Sequence, residues 1–263
     1  MSPPRQAKPR LGVFKLASCD GCQLQILSCE DELLALTGKL DIVFFAEATS
    51  REDDHGPLDL ALVEGSISND AQLRELKEIR ARSEALVTIG ACATAGGIQA
   101  LRNWRDVEEM TRVVYAEPTY VDTLARSTPI ADHVEVDFAL RGCPIDKGQL
   151  IELITGLLVG RRPRIRDESV CMDCKRAGHV CVAVAMDEPC LGPVTHAGCG
   201  ALCPAFGRGC FGCFGPREKA QTQALAAHLK ESGMTEAELV RRFRGFTAWA
   251  PAFRRESERH DAE

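Results

Sequence analysis

Aromatic side chains are scarce in this chain, making up 5% of 263 residues with two Trp and two Tyr. Packing must therefore rest on Ala, Val, Leu and Ile, and with 45% hydrophobic residues a chain of this length can close one large core or two modest ones. Long apolar runs are missing too. The opening MSPPRQAKPRLGVFKL holds neither the apolar stretch of a secretory signal nor a twin-arginine export signal, and no later segment approaches the length that spans a bilayer. These absences predict a cytoplasmic protein with no membrane partner. The net charge of -6 lacks the cationic excess that nucleic acid demands, which predicts no nucleic-acid partner either. Arg161-Arg162 and Arg241-Arg242 read as surface charge balanced by nearby acids.

Cysteine, by contrast, is abundant. Thirteen thiols are far more than an ordinary soluble domain carries, and in a reducing compartment short-spaced cysteines are metal ligands more often than disulfides.

The chain divides by its physics. Residues 1–10 read as a disordered arm. Residues 11–162 alternate short β-rich runs with helical periods, the pattern of a parallel sheet covered by helices, an α/β class. Candidate strands are Leu11–Ala17, Asp41–Glu47, Asp59–Glu64, Ala85–Ile89 and Val134–Ala139. Candidate helices run from Cys22 to Leu36, from Ala71 to Arg82 after the capping residues Ser68 and Asn69, and from Pro144 to Gly160. Residues 163–263 form a second, irregular domain. Between Val170 and Pro216 eight cysteines sit among Gly, Pro and small residues, a composition that needs metal cross-links to fold. A helical tail follows, from Pro216 to Lys230 and again after Thr235, where Thr235 and Glu238 have capping-box spacing.

In an open parallel sheet, ligands bind beyond the carboxyl ends of the strands. Cys19 and Cys22 follow the first strand in SCDGC, Cys92 the fourth in TIGACATAGG, and Cys143 the fifth in ALRGCPIDKG. Right-handed crossovers bring these ends to one edge, and four converging thiolates suit either a tetrahedral metal such as zinc or a 4Fe-4S cube. Gly21, Gly90, Gly96, Gly97 and Gly142 let backbone approach a bulky inorganic body. Cys29 lies on an apolar stripe with Ile26 and Leu33 and reads as core.

These motifs resemble the small subunits of nickel-iron hydrogenases from Leu11 to about Pro216. The resemblance implies a flavodoxin-like first domain whose proximal 4Fe-4S cluster is held by Cys19, Cys22, Cys92 and Cys143. ALVEGSI places Glu64 at a strand end near the same site, and the resemblance implies a role for it at the large-subunit interface. Gln23 departs from the family, since many periplasmic relatives carry Ser-Glu after the second cysteine.

The later cysteines divide into two groups of four, each with a CxxC pair at one end, a spacing that zinc would also accept. CLGPVTHAGC and CFGCFGP are similar to hydrogenase segments, and that similarity implies distal ligands Cys171, Cys174, Cys181 and Cys190 and medial ligands Cys199, Cys203, Cys210 and Cys213. Periplasmic enzymes use His as the first distal ligand and a three-iron medial cluster. Here Cys171 and the extra Cys203 imply three all-thiolate 4Fe-4S clusters of lowered potential. His179 and His196 lie between ligand positions and are candidate cluster contacts.

The resemblance thus implies the small (delta-type) subunit of a cytosolic bidirectional NAD(P)-linked nickel-iron hydrogenase of the sulfhydrogenase branch. Its partners would be a nickel-iron large subunit, which carries the catalytic metal, and flavin-containing diaphorase and iron–sulfur subunits. Cytosolic relatives with a deazaflavin or disulfide partner are an alternative, and a zinc-stabilised interaction protein is another. The cluster-bearing subunit of respiratory complex I resembles only the first domain and uses adjacent cysteines, which this motif lacks. With Cys19 and Cys22 in the loop after the first strand, no flavin is expected on this chain.

Overall fold

The computed structural model describes residues 8–261, so most of the expected N-terminal arm lies outside the described residues. Arg10 already opens the first strand. The strands are β1 (Arg10–Lys15), β2 (Asp41–Phe45), β3 (Leu58–Glu64), β4 (Ser83–Ile89) and β5 (Phe138–Leu140), and they pair in parallel in the order β2-β1-β3-β4-β5. The helices are α1 (Gly21–Leu27), α2 (Glu30–Thr37), α3 (Asp70–Arg82), α4 (Gly90–Ala95), α5 (Val107–Val114), α6 (Lys147–Leu158), α7 (Val170–Arg176), α8 (Val182–Ala185), α9 (Leu202–Ala205), α10 (Thr222–Glu231), α11 (Glu236–Phe243) and α12 (Pro251–His260).

Both faces of the sheet are covered, as the near-continuous apolar strands require. On one face Val13, Leu60, Leu62 and Val87 pack against Ile26, Leu36, Leu150 and Leu153 from α1, α2 and α6. On the other, Phe14, Ala61, Val63 and Leu86 meet Leu76 and Ile79 of α3 and Ala93 of α4. Leu60/Leu62 and Ala61/Val63 split between the two cores because successive residues of a strand point to opposite faces.

Several boundaries differ from the sequence expectation. The single helix from Cys22 to Leu36 is two helices. Ser28 turns its hydroxyl back to the Gln25 carbonyl, and Glu30 takes a left-handed φ of 41° that no continuous helix allows. Cys29, at the break, is 1% exposed and belongs to the core as expected. The helix expected from Pro144 begins at Lys147, because Asp146 supplies the N-cap by accepting the Gln149 N–H at 2.8 Å. The last strand shortens to Phe138–Leu140, since Val134 turns back on Ile130 and leaves the ladder. In the tail, α10 starts at Thr222 instead of Pro216, whose segment bridges Thr195. The capping box at Thr235 and Glu238 is present, as is the Asn69 cap of α3.

The cysteine-rich region has a core of its own. Val170 of α7 and Leu191 and Val194 from its loops pack on Leu229, Leu239, Phe243 and Phe253 of the terminal helices. It is joined to the sheet region by an edge-to-face pair, Trp104 with Trp249, whose centroids are 5.0 Å apart. Arg244 lies 4.2 Å over Trp104 and Arg254 lies 4.6 Å over Trp249. Among the described residues no helix is long and apolar enough to cross a membrane.

Candidate metal centres

The strand ends deliver the first four thiols to one edge. After β1 the chain turns through Asp20 at a left-handed φ of 66° and enters α1, which carries Cys22. Beyond β4 the helix α4 starts at once, with Cys92 in its first turn, and the Ala91 N–H donates to the Gly142 carbonyl at 2.7 Å beside Cys143. A tight turn with a cis Cys143–Pro144 bond and a Gly142–Ile145 bridge presents Cys143, while the Ile145 N–H faces Cys22.

Two glycines make room at this edge. A Cβ on Gly90 would stand 2.3 Å from the Cys22 Sγ, and one on Gly97 would stand 2.6 Å from the Cys92 Sγ. Both residues also hold positive φ, at 87° and 66°.

Glu64 is 2% exposed, so its carboxylate works from within the site. Its two oxygens accept the N–H groups of Cys22 at 3.2 Å and Gln23 at 3.3 Å, pinning the first turn of α1. Burial pushes this carboxyl up from its ordinary value, against the opposing pull of those N–H donors.

A polar strut behind the thiols was not foreseen in the sequence. Gln99 donates to the Ala17 carbonyl at 2.6 Å, and Ala17 exchanges backbone hydrogen bonds with Ser66. The buried hydroxyls of Ser66 and Ser127 are 2.8 Å apart, and Asn103 brackets the Ser127 backbone with two bonds of 2.8 Å. The loops after β1, β3 and β4 are thereby tied together. GGIQA, directly after CATA, was the available signal for Gln99; nothing in the local sequence marks Ser66 or Ser127.

Two further groups of thiols lie in the irregular region. Cys171 and Cys174 sit on α7, Cys181 caps α8, and Cys190 is buried. Burial, reinforced by the thiols of Cys190, Cys181 and Cys174, pushes Cys171 up to about 11. Around α9 stand Cys199, Cys203, Cys210 and Cys213. Burial pushes Cys213 up to about 12, with the nearby thiols of Cys199, Cys143 and Cys203 adding to it.

Neighbouring groups meet at two seams. The Cys143 backbone N–H faces the Cys213 thiol, and the Cys210 N–H donates to the Cys190 Sγ at 3.2 Å. At the second seam the chain crosses itself in backbone contact: a Cβ on Gly209 would stand 1.8 Å from the Pro189 carbonyl oxygen.

His196 is 8% exposed, and its Nδ1 pairs with the Ala197 carbonyl at 2.7 Å, so that nitrogen is engaged by backbone. His179 is half-buried, with its N–H on the Cys174 carbonyl.

The donor chemistry fits iron–sulfur clusters. Buried thiols that repel one another as thiolates gain a reason to ionise only when metal charge arrives, and a coordinated thiol is deprotonated outright. Burial raises Cys22, Cys92 and Cys143 alike, with Cys92 at about 11. Gly192 adds a further opening, since a Cβ there would lie 3.2 Å from the Cys190 Sγ and 3.4 Å from the Cys171 Sγ. Among the described residues no three His, Cys, Asp or Glu side chains are drawn in on a single-ion site.

Residues 19–157 match the family described as NADH ubiquinone oxidoreductase, 20 Kd subunit, a span that includes the four cysteines at the sheet edge. The chain is 38% identical over 240 residues to sulfhydrogenase 2 subunit delta of Pyrococcus furiosus, covering 91% of this chain and 100% of that relative. It is 30% identical over 238 residues to a subunit of the F420-non-reducing hydrogenase of Methanocaldococcus jannaschii, covering 80% of this chain and 83% of that relative. Among solved structures, a chain of an NAD+-reducing [NiFe]-hydrogenase in the H2-reduced state superposes with a TM-score of 0.56 at 31% identity, covering 60% of this chain and 96% of that one.

Proposed function

This chain belongs to the NADH ubiquinone oxidoreductase 20 Kd subunit family and is a small subunit of the nickel-iron hydrogenase type, and on that premise we propose that it conducts electrons through three 4Fe-4S clusters between a nickel-iron large subunit and a NAD(P)-linked flavoprotein. Cys19, Cys22, Cys92 and Cys143 would hold the proximal cluster, Cys199, Cys203, Cys210 and Cys213 the medial one, and Cys171, Cys174, Cys181 and Cys190 the distal one. Each cluster supplies a site that accepts and returns one electron. In this reading the complex works in the cytoplasm, where thiols stay reduced and available to iron.

The single observation that carries the proposal is the succession of thiol groups through the two seams. Cys143 abuts Cys213, and Cys210 abuts Cys190. Those two contacts support a reading in which the groups follow one another as proximal, medial and distal, the arrangement a relay needs. The chain's own part is to hold the thiols, exclude water and supply N–H donors such as those of Gly192 and Gly212, which lie 3.4 Å from the sulfurs of Cys190 and Cys210.

Anaerobic isolation of the native complex tests this directly. The expected result is about 12 iron and matching acid-labile sulfide on this chain, from three clusters of four. Hydrogen should reduce all three clusters, and a flavoprotein that reduces NAD or NADP should co-purify. Colourless protein holding zinc would overturn the proposal. Full iron with no NAD(P)-reducing partner would overturn the flavoprotein assignment alone.

A further inference from the structure

Gln99 occupies the 3-10 turn Ile98–Trp104 that follows the glycine pair after α4. Its Nε2 lies 2.6 Å from the Ala17 carbonyl oxygen and 3.6 Å from the Cys92 Sγ. A carbonyl only accepts, so the amide atom against Ala17 must be nitrogen, and the orientation of the side chain follows from chemistry. That nitrogen carries two hydrogens. Ala17 takes one and the second is left for sulfur.

As a free thiol, Cys92 could instead donate to the Gln99 Oε1, also 3.6 Å away. As a metal-bound thiolate it has no hydrogen, and the N–H to sulfur contact is the one that survives. The amide cannot easily drift. Its turn is held by the Asn103 bonds to Ser127, and the bare backbone of Gly97 leaves the amide its place, since a Cβ there would stand 2.4 Å from the Gln99 Oε1.

We propose that Gln99 is a positioning residue that acts through Cys92, its amide N–H donating to the ligand sulfur and raising the reduction potential at the first thiol group. Reduction adds negative charge that spreads onto the thiolates, and a donor aimed at sulfur stabilises the reduced form more than the oxidised one. The inference rests on the reading that Cys19, Cys22, Cys92 and Cys143 hold a cluster. The same amide ties the loop of Cys19 and Cys22 to the loop of Cys92, so the potential and the spacing of the thiols are set together.

The test is a redox titration of the native complex, followed by electron paramagnetic resonance, with wild type beside Gln99→Met and Gln99→Glu. Methionine keeps the length without the donor; glutamate keeps the shape and adds negative charge. Both variants should disfavour reduction at the proximal site, by roughly three- to tenfold for Met and more for Glu, tenfold being 59 mV for one electron. The medial and distal signals should stay in place. Full iron with an unchanged proximal midpoint in both variants overturns the inference, and so does loss of the proximal signal from both, which would make Gln99 a structural tie. Absence of a proximal signal from wild type strikes the ligand reading instead.

Discussion

The sheet region and the cysteine-rich region present thiols by opposite means. In the first, the four cysteines stand at the ends of strands whose two faces are already buried, so the scaffold exists before any metal arrives. In the second, eight cysteines ride on loops and helices of four to seven residues, backed by one cluster of apolar side chains. The difference separates what holds the thiols from what the thiols hold. A sheet positions its thiols by packing, whereas the loops, on the proposed reading, would depend on the clusters they enclose.

The sharpest way to break this contrast is to remove iron. Chelation from the reduced complex should raise amide hydrogen exchange across residues 163–217 while β1, β3 and β4 keep their protection, because metal at structural sites contributes on the order of 10 kcal/mol to folding. Equal loss of protection in both regions would erase the distinction. Next in size is Leu62→Ala, at a position with 0% exposure between the two halves of the sheet. A cost of about 2–5 kcal/mol is expected, measured as a lower urea midpoint, with the iron content of the cysteine-rich region unchanged.

The join between the regions is a smaller effect. A double-mutant cycle on Trp104 and Trp249 should give a coupling of about 1 kcal/mol, as edge-to-face aromatic pairs do. No coupling would mean that the regions are held together by the sulfur seam alone. Smallest of all is Glu152, on α6 beside the boundary. The Arg161 guanidinium and the Arg164 N–H hold its carboxyl down to about 2. Its contribution is present above the unfolded value of about 4.3 and fades as pH falls from there to about 2. Glu152→Gln should flatten the acid limb of a stability profile in that window only.

Much of the sheet region was legible because alternation and strand-end cysteines are local signals. All five strands lie within a few residues of their expected places, and the four thiols meet at one edge. What was hidden depends on backbone choices that hydrophobic period cannot register. Glu30 in left-handed geometry splits a helix whose apolar stripe runs on unbroken, and Asp146 outranks Pro144 as the start of α6. In the second region the cysteine spacing and a helical tail after Thr235 were plain, but the break before α12 and the core role of its Phe253 were not, and these help give the region an apolar core. Glu64 was read at the right place beside the thiols, but its hold on two backbone donors beneath the loop leaves no trace in composition. The Gln99 strut is the clearest omission: its partners lie 82 positions apart, on loops that only the folded sheet brings together.

The crossing of Gly209 over the Pro189 carbonyl carries a consequence for descent. Every other amino acid would drive a carbon into that oxygen unless the backbone moved, so substitutions at position 209 are expected to cost the crossing. Relatives that keep this loop tucked beneath Pro189 are expected to keep the glycine, and a changed residue there should come with a displaced crossing.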